Sequence, residues 1–367
     1  MKKNVLILSN SLKGLFSFRK EVIKAICDNG YSVYISVPIR DERASYFESI
    51  GCTIIETALS RRGMNPLADF RLMLSYCKLI RSIQPVAVLT YTIKPNVYGG
   101  IACRITRVPQ LANVTGLGDA VENGGWLHKL TITLYKIGLS KAKKVFFQNA
   151  TNRNYFIQHK IANNDSVLLP GSGVNLKHHI YQAYPNDEGV VKFLFIGRLL
   201  KDKGIEELLE AAKLTKQKYP KTVFQILGPT DGAYQKVLED NIKDGIVKHL
   251  GSTTDVRPFI GAVHCTIMPS YHEGMSNVNL ESSANGRPVI TTNVAGCRET
   301  VDDHITGFLV NVKDAKDLSD KIEQFILLPY EEKEQMGKEA RNKVEREFDR
   351  QLVINAYINE IESVSNV

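Results

Sequence analysis

Short runs of β-branched and other apolar residues alternate with helix-length amphipathic stretches along most of the chain, the pattern of parallel strands joined by crossover helices. In the first half the apolar runs predict strands near 4–9, 31–37, 52–56, 86–91, 110–114, 144–148 and 166–169. A second series follows near 191–196, 222–227, 247–250, 263–268, 288–292 and 306–310. Between strands, Phe70, Met73, Leu74, Cys77 and Ile80 recur at i, i+3, i+4 and i+7 and predict one buried helix face. Each half reads as an open, doubly wound α/β sheet, in which ligands bind beyond the carboxyl ends of the strands. The expected architecture is two Rossmann-like domains facing across a cleft.

Turn residues gather at Leu169-Pro-Gly-Ser-Gly-Val-Asn175, and polar sequence continues to about Glu188. The expected domains are therefore 1–175 and 176–348. Residues 349–367, amphipathic from Leu352 to Ile361, are expected to form a helix packing back on the first domain.

Composition narrows the class. A chain of 367 residues, 43% hydrophobic and 23% charged, suits two cores of ordinary size and excludes a disordered chain. No apolar run approaches the roughly 18 residues of a membrane-spanning helix. Met1-Lys2-Lys3 before Val5–Leu8 resembles the start of a signal peptide, but Ser9, Asn10 and Ser11 cut the apolar stretch short, so it reads as a buried first strand. Six cysteines (27, 52, 77, 103, 265 and 297) lie in apolar settings with no close pair, which points to a reducing, cytoplasmic location. The eight histidines show no metal-binding spacing, and no metal is expected.

Charge separates the halves. Of a net +8, residues 1–180 carry +14 (24 Lys+Arg against 10 Asp+Glu) and the remainder −6 (23 against 29). A basic half suits nucleic acid, an anionic membrane surface or a phosphorylated substrate. The interleaved aromatics of nucleic-acid readers are missing, so nucleic acid is not expected. Arg61-Arg62…Arg71…Lys78…Arg81, basic opposite its apolar face, and Trp126…Lys129…Lys136, mixing aromatics with lysines, fit a lipid surface. Ordinary core packing with solvated charges is the plainer alternative for both.

Three stretches carry chemistry. In Tyr271-His-Glu-Gly-Met-Ser-Asn-Val-Asn-Leu-Glu281, directly after a strand, Gly274 permits a tight turn. The N–H groups of Met275, Ser276 and Asn277 then open a helix whose N-terminus attracts an anion such as a diphosphate. Glu273 and Glu281 supply acceptor-only groups of the kind that bind sugar hydroxyls, or else one caps the helix and the other is solvated. In Gly197-Arg198-Leu-Leu-Lys-Asp-Lys203-Gly204, a guanidinium and an ammonium stand in a strand-to-helix loop. They suit neutralisation of a leaving nucleoside diphosphate, with a solvated basic loop as the alternative. The loop Ser9–Arg19 lacks GxGxxG. Gly14 there allows close backbone approach to a phosphate, with Lys13 or Arg19 nearby, or is a loop glycine with no ligand.

Gly197-Arg198…Lys203-Gly204, Glu273-Gly274…Glu281 and Ala284-Asn-Gly286-Arg-Pro288-Val-Ile occur in this order, and the chain resembles the family 4 retaining glycosyltransferases of the two-lobed GT-B fold over nearly its whole length. The resemblance implies that Arg198 and Lys203 hold the donor diphosphate, Glu273 the transferred sugar and Glu281 the ribose hydroxyls. Together with the loop and helix-terminus readings above, the expected donor site is Gly14, Gly197, Arg198, Lys203, Glu273, Gly274, Met275, Ser276, Asn277 and Glu281, with Arg198, Lys203 and Glu273 as the catalytic group.

Phe18-Arg19, Thr92-Ile-Lys94-Pro-Asn96-Val-Tyr98-Gly and Val114-Thr115-Gly-Leu-Gly118 look like a narrower branch that extends polyprenyl-diphosphate-linked oligosaccharides of bacterial surface glycans and includes N-acetylgalactosaminyltransferases. That branch implies a UDP-sugar donor, UDP-GalNAc or similar, a polyprenyl-diphosphate-linked acceptor and a peripheral place at the inner face of the cell membrane. Arg19, Lys94, Asn96, Thr115 and Asp119 are the acceptor-side candidates. Many relatives carry a histidine near the reacting carbon, whereas this chain offers Thr115, Gly116, Leu117, Gly118 and Asp119, so no catalytic base carries over. Asp119 or Glu122 assisting the reaction is one reading, and Asp119 bonding within its own loop is the other. A nucleotide-sugar co-substrate with no metal or other cofactor is expected. A UDP-sugar 2-epimerase of the same two-lobed architecture is the alternative.

Overall fold

The computed structural model describes residues 2–59, 65–116, 125–163, 165–230 and 232–365, and the chain divides into two units. Met1–Ser172 with Gln351–Val367 form the first and Gly173–Arg350 the second. All the apolar runs predicted as strands form strands, with ends within two residues of those expected.

In the first unit, β1 (Asn4–Leu8), β2 (Ser32–Val37), β3 (Thr53–Glu56), β4 (Ala87–Tyr91), β5 (Gln110–Val114), β6 (Lys144–Phe147) and β7 (Val167–Leu168) make a seven-stranded sheet. Its order is β3-β2-β1-β4-β5-β6-β7 and every pair is parallel. The helices are α1 (Leu12–Asp28), α2 (Ala44–Ser49), α3 (Pro66–Ile83), α4 (Gly100–Thr106), α5 (Gly125–Leu139) and α6 (Ala150–Gln158). Helices cover both faces of such a sheet, so its central strands read as continuous apolar runs. Along β1, Val5 and Ile7 pack with Val22 and Ile26 of α1. Leu6 and Leu8 pack on the other face with Leu72, Tyr76 and Ile80 of α3.

Helix α3 departs from the expected face. Its buried side is Leu72, Tyr76, Cys77, Ile80 and Ile83, whereas Phe70 is 54% and Leu74 49% exposed. Both faces of α3 carry apolar residues, and periodicity alone does not tell which one meets the sheet. Leu67, Phe70 and Leu74 occupy the outer arc, and by the 3.6-residue turn Arg71, Lys78 and Arg81 share it rather than stand opposite. Arg61, Arg62 and Trp126 lie outside the residues whose side chains are described. Distant cysteines also meet in this unit, for Cys27 Sγ lies 3.7 Å from Cys52 Sγ. The expectation of no close pair held along the chain but not in space.

The second unit holds β8 (Lys192–Ile196), β9 (Val223–Leu227), β10 (Lys248–His249), β11 (Cys265–Met268), β12 (Val289–Thr292) and β13 (Gly307–Val310). They are all parallel, in the order β10-β9-β8-β11-β12-β13. Helices α7 (Ile205–Lys218), α8 (Gln235–Lys243), α9 (Arg257–Gly261), α10 (Asn277–Ala284), α11 (Ala315–Leu327) and α12 (Tyr330–Glu347) flank the sheet. Arg287, fully buried, donates to the carbonyl oxygens of Gln182, Ala183, Gly261, Asn285 and Gly286. Burial lowers its pKa to about 10, which still leaves it charged at neutral pH. A single guanidinium thus ties the segment entering this unit to the turn before β12.

The last helix, α13 (Arg350–Ser365), returns the chain to the first unit. Val353, Tyr357 and Ile361 are buried in the same core as Val5, Ile7 and Phe146.

Candidate functional site

The second unit gathers its chemistry at the carboxyl ends of β8 and β11. After β8 the chain makes a 3-10 turn, Lys201–Lys203, closed by Gly204 in the left-handed region at φ 70°. A Cβ on Gly204 would lie 2.0 Å from the Pro269 carbonyl oxygen, so glycine is needed both for the turn and for the close approach. That approach docks the loop on the segment following β11. Tyr271 N–H donates to the Asp202 carbonyl at 2.8 Å, and Ser270 Oγ bonds the same oxygen at 3.2 Å.

Docking brings Lys203 Nζ to 2.6 Å from Glu273 Oε1, both side chains being less than a fifth exposed (19% and 18%). Ser270 Oγ donates to that carboxylate oxygen at 3.1 Å. Arg198, at the exit of the same strand, is exposed and has no acidic partner among the described residues. The ends of these strands therefore carry one cation paired with a carboxylate and, at the exit of β8, a second cation left open to solvent.

Helix α10 begins here. Ser276 is its N-cap, and its hydroxyl accepts from Asn279 N–H. Of the three N–H groups expected to face an anion, Ser276's is already committed to the Gly296 carbonyl at 2.7 Å. Those of Met275 and Asn277 have no acceptor among the described residues. The Met275 side chain is buried with Leu280, Ala284 and Val344, so this residue offers backbone only. Gly296 at φ 81° lies under the turn, where a Cβ would meet the Glu273 carbonyl at 2.3 Å. Asn279, fully buried, pins the helix to β12 through Thr291 and to Thr300.

Glu281 lies further along α10 with 27% of its side chain exposed. Burial raises its pKa to about 7, against the opposing pull of Arg350. His179 Nε2 is 4.0 Å away, but burial, followed by the charges of His178, Arg257 and Arg350, lowers the His179 pKa to about 4. A neutral imidazole therefore faces Glu281 at pH 7, with Asn285 Nδ2 3.1 Å from its Nδ1. Among the described residues no group of three His, Cys, Asp or Glu stands ready for a metal.

The first unit holds a cavity of about 280 Å³ whose lining includes Asn10, Thr92, Lys94, Asn96, Asn113 and Thr115. Three acceptor-side candidates, Lys94, Asn96 and Thr115, thus meet at one place. Lys94 Nζ is bound to Asp69 Oδ1 at 2.7 Å, and Tyr98 Oη to Asp69 Oδ2 at 3.0 Å. Thr92 sits in the left-handed region at φ 75°, and its buried hydroxyl lacks a partner among the described residues. An unmet hydrogen bond on a cavity wall is one that a ligand hydroxyl could complete.

Other expectations are corrected. Asn96 is wholly buried, accepting from Thr90 and donating to the Asn113 carbonyl, so it braces the cavity floor. Gly14 is not in a loop. Helix α1 starts at Leu12 because Ser11 caps it, and Gly14 N–H is spent on Ser11 Oγ. Arg19 is 3% exposed, its guanidinium 5.6 Å from the Tyr91 ring centre and its Nη1 donating to the Phe18 carbonyl. Packing against the sheet turns it inward, away from any surface ligand. Asp119, Leu117, Gly118 and Glu122 lie outside the described residues.

Sequence reading missed Ser270, Asp69, His179 and Asn113. Asn113 had a signal, a polar residue inside the apolar strand Gln110–Val114. Ser270 and Asp69 are short polar residues that nothing sets apart, and His179 is marked only by its neighbour His178.

Residues 178–343 match the family described as glycosyl transferases group 1, and residues 5–149 match glycosyl transferase 4-like. The chain is 26% identical over 332 residues to the N,N'-diacetylbacillosaminyl-diphospho-undecaprenol alpha-1,3-N-acetylgalactosaminyltransferase of Campylobacter jejuni, covering 86% of this chain and 87% of that one. It is 27% identical to the capsular polysaccharide biosynthesis glycosyltransferase CapM of Staphylococcus aureus, covering 83% of each. In fold it is similar to Anabaena HepE in complex with UDP, with a TM-score of 0.81 at 19% identity and full coverage of both chains. A glycosyltransferase from Rickettsia africae gives 0.79 at 20% identity, with 99% and 98% covered.

Proposed function

Since this chain belongs to the glycosyltransferases and has their GT-B fold, we propose that it moves a hexose or N-acetylhexosamine, with retention, from a UDP-sugar such as UDP-GalNAc to a polyprenyl-diphosphate-linked saccharide. The observation that carries this reading is the cluster at the ends of β8 and β11. An ion-paired Lys203 and Glu273 stand there with exposed Arg198 and the first N–H groups of α10. Cations and amide dipoles suit a diphosphate whose charge grows as the glycosidic bond breaks, and a carboxylate suits sugar hydroxyls. Relatives acting on undecaprenyl-diphosphate-linked and capsular glycans support the choice of acceptor.

In this reading Arg198 and Lys203 stabilise the departing UDP, and Glu273 orients the sugar. Glu281 takes the ribose hydroxyls. The acceptor hydroxyl attacks the face from which UDP leaves, and a donor phosphate oxygen takes its proton. Lys94, Thr92 and Thr115 receive the acceptor at the cavity of the first unit. The chemistry needs no metal.

Nucleotide sugars screened for thermal stabilisation identify the donor, since one present at about 100 times its Kd adds roughly 2.7 kcal/mol. Incubated with that donor, the enzyme is expected to form glycoside only when the lipid-linked acceptor is added. Release of an epimerised sugar without acceptor would establish the epimerase instead.

The enzyme is further proposed to work at the inner face of the membrane, touching anionic lipid through α3. The outer arc of α3 carries exposed Leu67, Phe70 and Leu74 among Arg71, Lys78 and Arg81, a combination that suits an interface of hydrocarbon and phosphate. No described helix is long and apolar enough to cross a membrane. Co-sedimentation with anionic vesicles is expected at low salt, weakening as salt rises. It should fall sharply when Arg71, Lys78 and Arg81 are changed to Gln, since each basic group contributes about 1 kcal/mol. Wild-type protein left in the supernatant would end the assignment.

A further inference from the structure

Two cavities lie side by side in the first unit, the smaller lined by more polar residues than apolar ones and the larger the reverse. The polar one, of about 280 Å³, is that of Thr92, Lys94 and Thr115. The other, of about 680 Å³, is walled by Pro38, Ile39, Ala58, Ala68 and Leu72, with Asp69, Arg71 and Ser75 as its polar members. Leu59 lines both. The Lys94–Asp69 ion pair joins them, Lys94 lining the polar cavity and Asp69 the apolar one. Ile39, at 62% exposure, leaves the larger cavity with an apolar lip, and an apolar surface rimmed by polar groups marks a binding surface.

A polar chamber opening beside an apolar one, with a charged pair at the junction, matches an amphiphile whose head and hydrocarbon chain are covalently joined. We propose that the larger cavity is a cleft for the first isoprene units of the acceptor's polyprenyl chain, with the smaller cavity holding the head. The proposal rests on the acceptor reading given above and extends it from the saccharide and diphosphate to the lipid. Burial of each methylene in the cleft adds affinity that does not depend on the head group, so chain length becomes part of substrate recognition.

The test uses the full-length chain, with calorimetry of a C20 prenyl diphosphate against a C5 prenyl diphosphate in the absence of membranes. The C20 compound is expected to bind at least roughly tenfold more tightly. Ile39→Asn combined with Ala68→Asn, both at exposed positions, adds polarity without charge and is expected to cut that preference to within about threefold, with a smaller loss of C5 affinity, because one isoprene unit meets less of the altered wall than four do. Unchanged thermal unfolding and UDP affinity in the variant verify its fold. Leu74→Ser, on the outer arc of α3, should leave the preference intact. Equal binding of both compounds by wild type overturns the cleft. So does a preference that survives the double substitution, or one that Leu74→Ser abolishes, since the last would show general adhesion to the helix surface. These probes carry no saccharide, so their outcome is separate from the acceptor reading. If the C20 compound binds as expected and no lipid-linked saccharide is glycosylated, the acceptor reading fails and the cleft stands.

Discussion

Lys203→Ala and Arg198→Ala are each expected to lower kcat by about a hundredfold or more, with a much smaller rise in the donor KM. Charge on the diphosphate is greatest when the glycosidic bond is broken, so a cation placed there acts more on the transition state than on the bound donor. The two variants should differ in a second respect. Lys203 is held against Glu273 at 2.6 Å, so its removal also leaves a carboxylate without its partner where the sugar is proposed to sit. Arg198 has no such partner among the described residues, and its loss should leave sugar selectivity untouched. Steady-state kinetics with two alternative donor sugars separates the effects. Near-wild-type turnover in both variants would remove these residues from catalysis.

Glu281→Gln is expected to weaken UDP binding while making the protein more stable. A carboxylate with its pKa raised to about 7 by burial is ionised in the unfolded chain above about pH 4.3 but resists ionisation in the fold. Between these values the unfolded state has lost its proton and the folded state keeps it, so stability falls as pH rises and levels off above about 7. Glutamine does not titrate, so its advantage is absent below about pH 4 and complete by pH 8. It should then reach roughly 1–3 kcal/mol, less than the shift alone implies because part of the side chain reaches solvent. Loss of a charged acceptor for the ribose hydroxyls should cost about 1.5–3 kcal/mol of UDP affinity. Calorimetry with free UDP at pH 8, alongside melts at pH 5 and 8, measures both. Unchanged UDP affinity in a folded variant removes Glu281 from the site.

The fold was legible because parallel strands buried on both faces leave continuous apolar runs, and all the predicted runs became strands. What stayed hidden was orientation. Leu74 and Leu72 of α3 are equally apolar, yet only Leu72 is buried, because the choice depends on which side of the helix the sheet occupies. The family resemblance put Lys203 and Glu273 in one donor site, but the ion pair they make, 70 residues apart in the chain, had no local signal. Arg19 and Asn96 show what burial adds to such readings. Polar residues suggest ligands, but buried ones also satisfy backbone and neighbouring side chains, as Asn96 does for Thr90 and Asn113. Ser276 N–H shows the same effect on a smaller scale, being taken by Gly296 in a contact that no local pattern announces.

The first unit's core is closed by Val353, Tyr357 and Ile361, with the Tyr357 ring 4.8 Å from that of Phe146 and tilted 33° to it, and its hydroxyl hydrogen-bonded to Asn113. On the ribosome those side chains emerge only after the whole of Gly173–Arg350 has been made. The second unit, contiguous in sequence, has every residue of its core in hand before the first does. Domains of a growing chain commonly fold from the N-terminus onward, but here the unit begun first is finished last. While translation runs, Phe146 and its neighbours wait uncovered, and the nascent chain depends on its final helix to close the surface with which synthesis began.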